Sequence, residues 1–162
     1  MQSSLAAAAF VRGADGIYRC PPLQELGWLD HGFTTRQSAE LVRPVITLRQ
    51  IHSNLVWNAG GLEDREREGD GLVSAQPGRR IGVRTADCVP ILLADRATRS
   101  VGAIHAGWRG TAARIAQRAI EQMVRDFGVR PRDVVAAIGP AIGVCCYRVG
   151  REVKNQFQKI FP

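Results

Sequence analysis

Three histidines occur in the 162-residue chain, and two of them share a setting with a cysteine. His52 stands in "RQIHSN", His105 in "AIHAGWRG" and Cys88 in "RTADCVPILLAD", each where an apolar run breaks and not inside one. Two imidazoles and a thiolate form a ligand set for tetrahedral zinc with a fourth position left open. A trigonal copper site accepts the same three residues. Their separations, 36 residues from His52 to Cys88 and 17 from there to His105, match no local ligand motif. Cysteine is also among the most buried residue types, so Cys88 reads equally as a small core residue entering a strand. A further alternative makes it a hydrolase nucleophile paired with His105.

The stretch "HAGWRGT" adds a second signal. Gly107 and Gly110 allow close backbone approach to a ligand, Thr111 is expected to open and cap a helix, and Arg109 offers a guanidinium beside the free N–H groups of its first turn. That combination suits an anion such as phosphate. Glycines at a strand-to-helix turn also serve chain geometry alone. Asp70 in "EGDGLV" and Asp87 beside Cys88 are the acidic candidates, either to orient a metal-bound histidine or to move a proton. Local context reads Asp70 as a turn residue between glycines. Arg36 in "GFTTR" is a second candidate anion contact, and the adjacent Cys145 and Cys146 read as packing or loop.

Elements must position these residues, and the chain alternates short apolar runs with Gly, Pro and Asp. The runs "GIYRC", "HGFTTR", "VITLRQIHS", "LVWN", "DGLVSA", "IGVRTAD", "VPILLAD", "SVGAIHAG" and "DVVAAIG" read as strands. The charged stretch 60–71 reads as a solvated loop. One helix is expected after Thr111, with Ile115, Ala119, Met123 and Phe127 as its apolar stripe and Gly128 and Pro131 as its stop. A second is expected within 149–161, with Val153, Phe157 and Phe161 on one face. Many strands followed by segregated helices predict an α+β fold: a layered mixed β-sheet domain with helices packed on it, one domain over residues 1–162.

Composition bounds the function. Net charge is +7, and of 22 basic residues only Lys154 and Lys159 are lysines, the rest arginines, which suits anionic ligands. A nucleic-acid-binding domain is disfavoured, because the arginines are scattered and aromatic residues make up only 6%. Four cysteines are too sparse for a disulfide scaffold. No apolar run is long enough to span a membrane and the opening stretch does not read as a signal peptide, so a cytoplasmic monomer without nucleic-acid or membrane partners is expected.

Four blocks, "RQIHSN", "GDGLVSAQPGRRIGVRTADCVPILLAD", "VGAIHAGWRGTAARIAQRAIEQM" and "AAIGPAIGVCCYRVGREV", make the chain resemble the bacterial YfiH-type laccase-domain proteins, long labelled polyphenol oxidases. The resemblance implies a YfiH-like α+β fold and zinc-dependent purine nucleoside chemistry: phosphorolysis of adenosine, inosine, guanosine and methylthioadenosine, and deamination of adenosine. It implies His52, Cys88 and His105 as the metal ligands, with a purine nucleoside and phosphate as partners. Copper-dependent polyphenol oxidation, or cysteine hydrolysis of peptidoglycan precursors, are the alternatives it carries. Family members also have a Gly-Gly-x-Ser segment after the block seen here as "HGFTTR", and a further C-terminal segment, so those parts of the pocket are expected to be lacking.

Overall fold

The computed structural model describes residues 10–42 and 44–161. They gather into two compact units, one before residue 43 and one from Pro44 onward.

In the first unit, β1 (Val11–Arg12) pairs antiparallel with β2 (Tyr18–Arg19). Asp15 shapes the turn between them, accepting the Ile17 N–H at 3.1 Å and meeting Arg19 at 2.7 Å. The Arg19 guanidinium, then the Ile17 N–H, hold its carboxyl at about 2, below the usual 3.8. Pro21 opens the short α1 (Pro21–Gln24), where a missing N–H leaves nothing unpaired. "HGFTTR" forms only an isolated bridge from Phe33 to Tyr18. The reason is local: the Thr35 N–H donates to Ser38 Oγ at 2.9 Å, which bends the chain into a turn.

The second unit carries a five-stranded sheet of β3 (Val56–Asn58), β4 (Gly71–Ser74), β5 (Val89–Asp95), β6 (Val101–Ala106) and β7 (Val134–Ile138). Its order is β3-β4-β6-β5-β7, with β3 parallel to β4 and every other pair antiparallel, so the sheet is mixed as expected. Alternation along β4 sends Val73 to one face and Leu72 to the other. Val73 joins Leu93, Ile104, Ala106, Ile115, Ala119, Met123 and Val129 in one core, and Leu72 joins Leu48, Ala59 and Leu62 in a second. The α+β layering follows, with a helix covering the first face and Ile46, Leu48, Leu62 and Ile81 from outside the strands packing on the second.

Besides "HGFTTR", two predicted strands of the second unit are absent. "VITLRQIHS" makes only isolated bridges, Ile46 to Ile81 and Arg49 to Glu68, because its polar groups are spent on the charged loop. Thr47 donates its N–H and Oγ1–H to Asp64 at 2.8 and 2.6 Å, and the Gly69 N–H donates to the Arg49 carbonyl at 3.1 Å. "IGVRTAD" keeps one bridge, and the Arg84 N–H goes to the Gln50 side chain at 2.7 Å.

Helix boundaries also differ. A short α2 (Trp108–Ala112) starts behind Gly107, so Thr111 lies inside it and donates its N–H to the Gly107 carbonyl at 2.8 Å. Arg114, at φ 60°, then re-aims the chain into α3 (Ile115–Phe127). The cap role expected of Thr111 is therefore corrected: Gly107 holds the cap position, four residues earlier. The stripe is as expected, with Ile115, Ala119 and Met123 buried, and Gly128 ends α3 at φ 70°. The last helix, α4 (Arg151–Ile160), falls inside the predicted span.

Candidate metal centre

The hairpin of β5 and β6 brings two of the three candidate ligands together. Its register sets Val89 opposite Ala106 and Pro90 opposite His105, which continues to Cys88 opposite Gly107. His52 enters from the segment before β3. One donor atom from each of His52, Cys88 and His105 lies within 4.8 Å of the others, and the two imidazole rings meet edge to face with centroids 4.8 Å apart. His105 is buried, Cys88 half-buried and His52 exposed, so the group opens to solvent on the His52 side. A cleft of about 460 Å³ lined by Arg96, Arg130, Arg132 and Asp133 opens beyond the other end of β5, away from these donors.

Asp70 ties both histidines down. It is fully buried, and as the residue before β4 it continues the register that sets Gly71 opposite Ile104, so it faces His105. Its Oδ1 lies 2.8 Å from His105 Nδ1, and the carboxylate also accepts the backbone N–H groups of Ile51, His52 and Ser53 at 3.3, 3.0 and 2.6 Å. The Ser53 hydroxyl adds a fifth bond at 2.7 Å. Burial pushes the Asp70 carboxyl up, but the bonds from Ser53, His105 and His52 outweigh it and hold the group below the usual carboxylate range. An ionised Asp70 takes the Nδ1 proton of His105 as a hydrogen bond, which leaves Nε2 as the donor atom for a metal. His52 sits at φ 59°, an uncommon conformation for a residue with a side chain, sustained by the three N–H bonds that converge on Asp70. Of the two roles expected for Asp70, its full burial and its bond to His105 suit orientation.

The glycines have specific neighbours. A Cβ on Gly107 would stand 3.0 Å from His52 Cδ2 and 3.2 Å from Cys88 Sγ, so this glycine keeps clear the space where two donors converge. A Cβ on Gly110 would stand 2.9 Å from the Ser53 carbonyl oxygen, so Gly110 lets α2 pack against the His52 segment. Arg109 is exposed, its guanidinium 4.7 Å from the Trp108 ring centroid. Arg36 lies in an exposed turn of the first unit. Asp87 is exposed beside Cys88, and its carbonyl accepts the Ile142 N–H at 3.0 Å.

Burial, then the carboxylates of Asp87 and Asp70, push the Cys88 thiol up. A divalent cation reverses that balance by binding the thiolate. The donor set of two imidazoles and one thiolate, with the cleared space at Gly107, fits zinc and fits copper equally. Ser53, which sequence reading passed over, donates twice to Asp70. Its only sequence signal is its place directly after His52.

Comparison with known proteins agrees with this geometry. Residues 33–162 match the family described as multi-copper polyphenol oxidoreductase laccase. The chain is 52% identical over 91 residues to a Deinococcus radiodurans protein named purine nucleoside phosphorylase, covering 56% of this chain and 36% of that protein. It is 43% identical over 129 residues to a protein named adenosine deaminase RL5 from an unknown prokaryotic organism, covering 74% of this chain and 47% of the relative. The chain thus spans under half the length of either relative. The crystal structure of YlmD from Geobacillus stearothermophilus superposes with a TM-score of 0.78 at 27% identity, over 94% of this chain and 72% of that one. Relatives named YfiH also match. With its fold, its blocks and its matched residues in accord, the chain belongs to the YfiH-type multi-copper polyphenol oxidoreductase laccase family.

Proposed function

We propose that this chain carries the metal centre of a zinc-dependent purine nucleoside phosphorylase that also deaminates adenosine. The observation that carries the reading is the convergence of His52, Cys88 and His105 from separate segments onto one place within 4.8 Å, with both histidines fixed by the same buried carboxylate. His52, Cys88 and His105 would hold the zinc, which would supply Lewis acidity. Asp70 holds the tautomer and aim of His105 and the backbone of His52. Asp87, exposed beside Cys88, is the group assigned to take up and return a proton during deamination at the purine C6. For phosphorolysis, Arg109 is assigned to phosphate, its paired guanidinium donors holding the anion while the base leaves C1′. The backbone at Gly107 and Gly110 is assigned to the same anion. The relatives' names, purine nucleoside phosphorylase and adenosine deaminase, support the substrate class.

The test is incubation with adenosine and phosphate, following adenine, ribose 1-phosphate and inosine with and without a chelator. Products should form, and chelation should abolish them. Cys88→Ala should lose both activities; full retention of both removes the metal reading.

The family's description favours one second reading, copper-dependent oxidation on the same residues. Copper centres draw on imidazole, so an assembly of several coppers needs many histidines. This chain has three, and His31 Nε2 already accepts the Cys20 N–H at 3.0 Å. Metal analysis of protein purified without added copper, paired with the nucleoside assay, separates the two. The cysteine-hydrolase alternative has less support, since a nucleophile needs a lowered thiol pKa and the surroundings of Cys88 raise it.

A further inference from the structure

Cys145 and Cys146 take no part in the metal centre. Both are exposed in the turn after β7, with Sγ atoms 3.1 Å apart, so the packing role expected of them is overturned and the loop role stands. The turn is anchored: the Cys146 and Tyr147 N–H groups donate to the Gly143 carbonyl at 3.0 and 3.1 Å. Just upstream, the Gly139 N–H donates to the Pro90 carbonyl at 2.8 Å and the Ile142 N–H to that of Asp87 at 3.0 Å. The two thiols are therefore presented together from a tethered segment.

Closure into a disulfide is disfavoured by chain geometry. Consecutive Cα atoms lie about 3.8 Å apart, short of the roughly 4.4–6.8 Å at which disulfides form without strain. The pair persists as a dithiol wherever thiols are kept reduced.

The spacing suits an ion of narrow bite. For bonds to sulfur of about 2.3 Å, a tetrahedral ion needs its sulfurs roughly 3.8 Å apart and a linear one about 4.6 Å. The observed 3.1 Å subtends about 85° at bonds of that length. Trivalent arsenic forms pyramidal bonds near a right angle and carries its own third substituent, so two sulfurs at this spacing complete it.

We propose that Cys145 and Cys146 form a chelating dithiol site for trivalent arsenicals. With an arsine oxide, two S–H bonds break and two As–S bonds form, and the oxide oxygen leaves with both protons as water. Arsenic stays trivalent, so neither oxidant nor reductant is needed. The site is independent of the metal centre and of its proposed activity.

The full chain is treated with equimolar phenylarsine oxide, challenged with tenfold excess glutathione, and weighed intact. The second As–S bond forms at an effective concentration of about millimolar or above, so a monothiol at micromolar level should not displace it. Wild-type protein should keep one phenylarsenic adduct, mapped by trypsin to residues 133–148, and dithiothreitol should strip it. Cys145→Ser and Cys146→Ser, both at exposed turn positions, should each lower the retained adduct at least tenfold. Retention in either serine variant, an adduct on residues 85–96, or no glutathione-resistant adduct in the wild type each overturns the site.

Discussion

Asp70 and His105 face each other across neighbouring strands and are joined twice, by the His105 N–H donating to the Asp70 carbonyl at 2.7 Å and by the side-chain bond at 2.8 Å. Asp70→Asn keeps the size but turns an NH₂ toward groups that already donate. Zinc affinity should fall about 10–100-fold. Competition against a chromophoric chelator measures it, and unchanged affinity would show that Asp70 does not orient the ligands.

Gly107→Ala tests the cleared space. Its backbone, at φ −70° and ψ 170°, accepts alanine without strain, so the effect must come from the new methyl against His52 and Cys88. Metal binding should weaken at least tenfold while far-ultraviolet circular dichroism stays as in the wild type. Normal binding by this variant would mean that the two donors have room to spare.

Met123 is fully buried beneath the sheet with Ile104 and Ile115. Met123→Ala should cost about 2–5 kcal/mol, through lost burial and the cavity left behind. Urea unfolding reads this directly, and a loss near zero would place the α3 stripe outside the core.

His31 gives the first unit a pH dependence. Burial, then the Arg19 charge, lower its pKa below 6.5, and its Nε2 accepts the Cys20 N–H only while unprotonated. The unfolded chain therefore takes up a proton at higher pH than the folded one. The stability this confers is complete above pH 6.5 and is lost as pH falls from 6.5 through the folded-state value. Denaturation midpoints between about pH 7.5 and 5 should decline, and His31→Gln, which keeps an acceptor without titrating, should flatten that decline. Equal slopes in both proteins would remove His31 as the cause.

Strands β3 to β7 and the α3 stripe were legible because their periodicity agrees with the faces they bury. The three donors were legible as breaks in apolar runs. Asp70 was not: its role depends on partners 17 to 35 residues away, and locally it looks like any aspartate between glycines. The same carboxylate explains the missing strand around His52, since the N–H groups of residues 51–53 that a ladder would need are turned onto Asp70. Thr111 misled because a capping residue type stood near a helix start that Gly107 supplies instead, the space being required by His52 and Cys88.

The β5–β6 hairpin joins Cys88 to His105 through a tight turn, whereas His52 must be brought in from 36 residues upstream. During folding the first pairing is quick and local, and the second waits on the entropy of a much larger ring. A cation shared by all three would then act only once both pairings have formed. Its binding should lengthen the lifetime of the native state and leave the speed of refolding nearly untouched.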